Sequence, residues 1–94
     1  GIGVIEDIRK TISSDFKKKG NFIYLCGKTF RELGGSQYYK IFKVKGGDVP
    51  VPSPERSLNL MKKIFKAING NLIKSCHDCS DGGFITSISE MVIG

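Results

Sequence analysis

The chain has no apolar run approaching the about twenty residues that a membrane-spanning helix requires. It also lacks the cationic, apolar, small-residue succession of a secretory signal: residues 1–10 mix acids and bases with isolated aliphatics. Cysteine is scarce and odd in number, at three, which argues against a disulfide framework and for reduced, intracellular thiols. The expected location is therefore the cytoplasm. Proline is equally sparse, at three residues, and with 39% hydrophobic content the composition is that of a folded chain, not a disordered one. Internal repeats, heptads and low-complexity tracts are missing, as are RNP and zinc-finger patterns. The net charge of +6 is dispersed, so Lys17-Lys18-Lys19 and Lys62-Lys63 read as solvated surface and not as a nucleic-acid site.

What is present is one short, soluble-looking chain of 94 residues, enough for a single small core and no second one. It starts with Gly1 and not Met, and it ends on the apolar Met91-Val92-Ile93-Gly94. Those ends read as cuts, so a fragment of a larger protein is expected. Such a piece would leave apolar surface uncovered, and self-association is expected of it alone.

Along the chain, strand and helix patterns alternate. Residues 2–8, 22–26 and 71–75 are short and apolar enough for strands. Residues 11–19 are ambiguous, with Ser13, Ser14 and Asp15 offering turn or cap chemistry. Gly34-Gly35 marks a turn, and Ser36 caps a short helix carrying Tyr38, Tyr39, Ile41 and Phe42. Residues 43–52 are loop. The clearest helix opens on Ser53 and Pro54 and closes at Asn69-Gly70. Its stripe of Leu58, Met61, Ile64, Phe65 and Ile68 belongs in a core. This succession predicts an α+β layer arrangement, a sheet flanked by helices.

The chemistry concentrates in residues 75–91, where His77, Asp78, Ser80, Asp81 and Gly82-Gly83 lead into a helical pattern of Phe84, Ile85, Ile88, Met91 and Val92. A loop that opens a helix turns unpaired N–H groups toward its surroundings. Two readings stand. Ser80 or Asp81 caps the helix, or the loop faces a phosphate. Two acids beside a phosphate repel it, and a Mg²⁺ held between carboxylate and phosphate removes the conflict. Asp78 and Asp81 are then the metal candidates, and Ser80, Asp81, Gly82 and Gly83 the ligand-facing loop. Gly34-Gly35-Ser36 has the same balance of turn and anion contact. His77 reads as a hydrogen-bonded structural residue, since a general base needs a placed partner. Cys76-x-x-Cys79 is half a zinc site at most, with Cys26 the one other sulfur. Small buried hydrophobes are the expected role of Cys76 and Cys79.

These residues also carry a resemblance. The segment His77-Asp78-Cys79-Ser80-Asp81-Gly82-Gly83, with its following Glu90-Met91, resembles the His-Asp-x-Ser-Asp-Gly-Gly motif of the large synthetase subunit of phosphoribosylformylglycinamidine synthases. Gly3-Val4-Ile5-Glu6-Asp7, Tyr24-Leu25-Cys26-Gly27 and Glu32-Leu33-Gly34-Gly35-Ser36-Gln37-Tyr38 are similar to other stretches of that family, in the same order. The resemblance spans nearly the whole chain. It implies that residues 1–94 form the first half of the C-terminal domain of such an enzyme, partly ferredoxin-like and related to aminoimidazole ribonucleotide synthase. It further implies an ATP- and Mg²⁺-dependent ligase of purine biosynthesis that converts formylglycinamide ribonucleotide and glutamine-derived ammonia to the amidine. A glutaminase subunit and a small accessory subunit are the implied partners. The family's catalytic histidine lies upstream, so no catalytic residue is expected here and the piece alone is expected to be inactive. Two other classes remain open: a different enzyme of the same superfamily, such as a hydrogenase-maturation protein, and a non-enzymatic metal- or nucleic-acid-binding module.

Overall fold

Capping chemistry places the regular elements. The computed structural model describes residues 2–94. Asp7 opens a single 3-10 turn, Ile8–Lys10, by accepting from the Arg9 backbone N–H at 3.0 Å, and the Arg9 guanidinium returns to the same carboxylate at 2.9 and 3.1 Å. Helix α1, Gln37–Ile41, begins where the Ser36 hydroxyl accepts from the Tyr39 N–H at 3.2 Å. One helical turn separates Tyr38 from Phe42, whose rings pair at 4.8 Å between centroids. Helix α2, Pro54–Asn69, starts on its proline as the sequence predicts, and the Ser53 carbonyl accepts the N–H of Ser57 at 3.0 Å. Helix α3, Gly83–Ile93, follows the apolar spacing of Phe84, Ile88 and Met91.

Helices α1 and α2 end alike. After α1, Val44 N–H reaches the Tyr39 carbonyl at 2.9 Å and Lys43 N–H the Lys40 carbonyl at 3.2 Å. After α2, Leu72 N–H reaches Ala67 at 3.0 Å and Asn71 N–H reaches Ile68 at 2.9 Å. Both are Schellman closures, which require a left-handed residue one place past the cap. Lys43 (φ 54°) and Asn71 (φ 58°) fill that position. The closing role expected of Gly70 thus falls one residue later, on Asn71. An amide side chain tolerates that backbone better than most.

The chain divides into two compact units, one made of the residues up to Phe22 together with Lys62–Gly94, the other of Ile23–Met61. The first holds the 3-10 turn, the second half of α2, and α3. Its backbone links include Phe16 N–H to the Met91 carbonyl at 3.0 Å and Cys76 N–H to the Ser13 carbonyl at 3.2 Å. The second holds α1 and the long loop, tied by Gly34 N–H to the Asp48 carbonyl at 2.7 Å.

The expected α+β sheet, with its partly ferredoxin-like topology, is not formed: among the described residues there is no strand. Residues 2–8, 22–26 and 71–75 carry strand-like side-chain patterns, but no ladder joins them to one another. A strand exists only as a member of a pair, and a favourable local pattern fits a pleated surface without supplying the neighbour.

Burial corrects two further expectations. No hydrophobic side chain among the described residues is fully buried. Met61 and Phe65, expected in a core, are each 66% exposed, and Ile64 and Ile68 are half-buried on the adjoining face of α2. Cys76 and Cys79 are exposed and not the small core residues expected, and Cys26 is exposed as well. The accessible surface is 8831 Å². A folded monomer of 10.3 kDa exposes about 5,400 Å². The excess of about 3,400 Å² is apolar in large part, with Ile2, Phe22, Leu72 and Ile93 each at least 80% exposed.

Candidate functional site

The loop that opens α3 is held by its own backbone and by two side chains of the helix. Gly83 N–H donates to the Ser80 carbonyl at 3.1 Å, closing a turn over residues 80–83. Gly82 sits at φ 84°, ψ −6°, the third-position geometry of a type II turn, which selects glycine. A Cβ there would lie 2.8 Å from the Cβ of Thr86, whose hydroxyl donates to the Gly82 carbonyl at 3.1 Å. Gly82 is the residue before the helix, and no side chain caps α3. The capping reading of Ser80 and Asp81 is therefore corrected: the Ser80 hydroxyl turns away and donates to Asp78 Oδ2 at 2.6 Å. That O–H is the main reason the Asp78 carboxyl lies below its ordinary value, with a smaller contribution from His77. Asp81 is exposed at the tip of the turn.

His77 is the hub of the loop. Its Nδ1–H donates to the Asp78 carbonyl oxygen at 2.7 Å, with Asp78 Oδ1 3.5 Å away. Its Nε2 lies 3.2 Å from Glu90 Oε2 on α3. The Asp78 carbonyl can only accept, so the Nδ1 contact calls for an N–H on that nitrogen. The imidazole is 20% exposed and serves as a hydrogen-bonded structural group, the role expected of it. Ser87, 4% exposed, is the one buried polar residue among the described residues. Its hydroxyl is shared between the carbonyls of Asp78 at 2.9 Å and Gly83 at 3.2 Å.

Glu90 and Ser87 did not figure among the expected site residues. A signal for Ser87 was available, because it sits between Phe84, Ile88 and Met91 on the apolar stripe of α3, where a hydroxyl needs a partner. Glu90 was marked only as part of the Glu90-Met91 end of the motif, and nothing in the sequence joined it to His77, thirteen positions away.

Among the described residues no three or more His, Cys, Asp or Glu side chains converge on one point, so no protein-only metal cage forms. Asp78 and Asp81 are both exposed carboxylates near one turn. That donor chemistry fits a hard cation that takes one or two carboxylates and fills its shell with water and phosphate oxygens.

Gly34, Gly35 and Ser36 belong to the Ile23–Met61 unit. Gly34 is buried where a Cβ would come within 2.7 Å of the Asp48 carbonyl oxygen, so close backbone approach explains it. Gly35 takes φ 75° in the turn, and the Ser36 hydroxyl is engaged in capping α1.

The family model for the AIR synthase related protein C-terminal domain matches residues 18–94. The chain belongs to this family. As a member of the AIR synthase related C-terminal domains, it is also similar to longer proteins. It is 38% identical over 93 residues to the phosphoribosylformylglycinamidine synthase subunit PurL of Alkaliphilus metalliredigens, covering 98% of this chain and 13% of the relative. For the PurL subunits of Thermococcus sibiricus and Caldanaerobacter subterraneus subsp. tengcongensis the identities are 39% and 38%, over 99% and 97% of this chain and 13% of each relative. The chain thus spans about one eighth of the length of the curated relatives it matches (13%). No solved structure matches it. Both the Gly34-Gly35-Ser36 turn and the residue 77–90 site fall inside the family match. Among the described residues, this AIR synthase related domain contains no helix long and apolar enough to cross a membrane.

Proposed function

We propose that this chain is part of an ATP-dependent carbon–nitrogen ligase of de novo purine biosynthesis. Such an enzyme converts formylglycinamide ribonucleotide and glutamine-derived ammonia to formylglycinamidine ribonucleotide in the cytoplasm. The observation that carries the reading is similarity to synthase subunits along 98% of the chain, with the His77–Gly83 loop inside it. Residues 1–94 supply the first half of a C-terminal domain and no catalytic side chain. Their part is one wall of a nucleotide cleft. A glutaminase subunit and a small accessory subunit complete the working assembly.

Within this reading, the loop before α3 faces the phosphates of ATP. The donors left for a ligand are the N–H groups of Gly82 and of the first turn of α3 after Gly83, since a helix start leaves its first donors unpaired, while the Gly83 N–H is taken by the Ser80 carbonyl. Asp78 and Asp81 hold a Mg²⁺, which neutralises phosphate charge that the two carboxylates would otherwise repel. Ser80 fixes the Asp78 carboxylate by donating its O–H at 2.6 Å and keeps both of its own lone pairs for the same region. Gly34-Gly35-Ser36 contributes an anion contact through the Gly35 N–H and the Ser36 O–H, since the Gly34 and Ser36 N–H groups are bonded to the Asp48 and Leu33 carbonyls and the Ser36 hydroxyl only accepts from Tyr39.

The test is amidine formation by the full gene product supplied with formylglycinamide ribonucleotide, ammonia and MgATP. ATP-dependent turnover is expected, and Asp78→Asn lowers it by about tenfold or more, the scale on which groups supporting a metal usually act. A product with no ATP-dependent turnover under any ammonia supply would remove the ligase reading. Full turnover by Asp78→Asn would remove the role given to this loop.

A further inference from the structure

Three features stand apart from the loop's proposed ligand contacts: the exposed stripe of α2, the Cys76/Cys79 pair, and the contacts running from α3 back to His77. Only the last is a connected set of short distances within one unit. Glu90 and Ser87 lie three residues apart on α3, so their side chains share one face of the helix. Ser87 reaches the Asp78 carbonyl from below at 2.9 Å. Glu90 reaches His77 Nε2 at 3.2 Å, and His77 Nδ1 donates to that same Asp78 carbonyl at 2.7 Å. Two routes from α3 therefore converge on one oxygen atom.

The consequence is geometric. A carbonyl oxygen has two lone pairs, and here both are taken. With its carbonyl held from two directions, the peptide plane after Asp78 cannot rotate without breaking both bonds. The direction of that plane sets where the chain runs through Cys79 to Ser80. The Ser80–Asp78 side-chain bond then fixes the carboxylate relative to the turn. The Glu90 side chain is 56% exposed, and its ion-pair contact with the loop is to His77. Ser87 is nearly sealed from solvent. Neither has the surroundings of a ligand contact.

We infer that Glu90, acting through His77, is a positioning residue that sets the Asp78–Gly83 loop for its phosphate ligand, with Ser87 as the second support of the same carbonyl. The inference rests on the nucleotide-facing reading of that loop. Glu90 makes no contact with nucleotide or metal; its effect is on how often the loop holds the competent arrangement. Loss of one support lowers that fraction, and apparent affinity falls with it. Glu90→Gln keeps a side chain of the same length whose amide pairs with Nε2 as acceptor or as donor, and so keeps the function. Glu90→Ala loses it.

The experiment is amide hydrogen exchange on the full gene product, comparing wild type, Glu90→Ala, Glu90→Gln and Ser87→Ala, each with and without MgATP. Without nucleotide, Glu90→Ala and Ser87→Ala speed exchange across residues 78–83 by about fivefold, the effect of one lost hydrogen bond. The C-terminal turn of α3 keeps its wild-type rate. MgATP slows loop exchange in all four proteins, but half-maximal protection needs about fivefold more nucleotide in the two alanine variants. Glu90→Gln behaves as wild type. Loop exchange in Glu90→Ala equal to wild type overturns the inference. So does a faster loop with unchanged nucleotide dependence, because Glu90 then positions nothing. If MgATP fails to protect the wild-type loop, the nucleotide reading falls. The positioning inference is then decided by the nucleotide-free rates alone. Glu90→Gln matching Glu90→Ala overturns the hydrogen-bonding role given to position 90 as well.

Discussion

Replacing Gly82 by alanine should loosen the start of α3 far more than replacing Gly83 does. Both glycines have positive φ, 84° and 68°, so alanine at either position takes a left-handed backbone at a cost of about 1–2 kcal/mol. Their surroundings differ. A Cβ on Gly83 meets nothing within 4 Å. A Cβ on Gly82 lies 2.8 Å from Thr86 Cβ, an atom that no side-chain rotation moves, so the backbone must shift. That shift adds about 1–3 kcal/mol of overpacking. It also breaks the Thr86 hydroxyl bond to the Gly82 carbonyl, worth about 1 kcal/mol. The difference between the two variants is then at least about 2 kcal/mol, or roughly 30-fold in an opening equilibrium. Hydrogen exchange at the α3 amides in the full gene product reads this directly. Gly82→Ala should exchange some 30-fold faster than Gly83→Ala, which itself stays within about 30-fold of wild type. Equal rates in the two variants would refute the Thr86 argument.

Other outcomes follow from the same contacts. Lys43→Gly and Asn71→Gly remove left-handed strain at the two Schellman closures; each should slow local exchange, with the larger gain of about 1 kcal/mol at Lys43, and Asn71→Val should cost about 1–2 kcal/mol. The Asp7 carboxyl lies below its ordinary value of 3.8, chiefly through its side-chain bond to Arg9. Its pairing therefore supports the 3-10 turn fully above that ordinary value and is lost as pH falls through the lowered one. Carboxyl carbon NMR should show this low titration, and Arg9→Gln should return it toward 3.8. The 94-residue chain produced alone should self-associate, given its uncovered apolar surface. Light scattering that finds a monodisperse monomer with a cooperative melt would count against this.

Local chemistry was legible in the sequence, and pairing was not. Ser36 before Gln37, Pro54 after Ser53, and the spacing of Phe84, Ile88 and Met91 each act within a few residues, and each marks the element it should. The strand-like segments at 2–8, 22–26 and 71–75 fail for the opposite reason. A ladder depends on a second segment that the first does not encode. The α2 stripe shows the same limit: spacing gives the face but not what covers it, so Ile64 is half-buried and Phe65 exposed. Closure by Asn71 in place of Gly70 is a one-residue difference that only backbone angles decide. In the site, the turn at Gly82-Gly83 was legible as glycine chemistry. The clamp was not, because joining Glu90 to His77 takes the coiling of α3 to bring thirteen positions of chain to 3.2 Å.

The central claim is that the loop from Asp78 to Gly83 faces a magnesium-bound nucleotide in a purine-synthesis ligase. It is tested most directly by hydrogen exchange across residues 78–84 of the full gene product, with MgATP, with ATP plus chelator, and with Asp78→Asn. The account expects saturable protection of this loop by MgATP, lost on chelation and weakened about tenfold or more by Asp78→Asn. Exchange that MgATP leaves unchanged, or protection indifferent to both magnesium and Asp78, would contradict it.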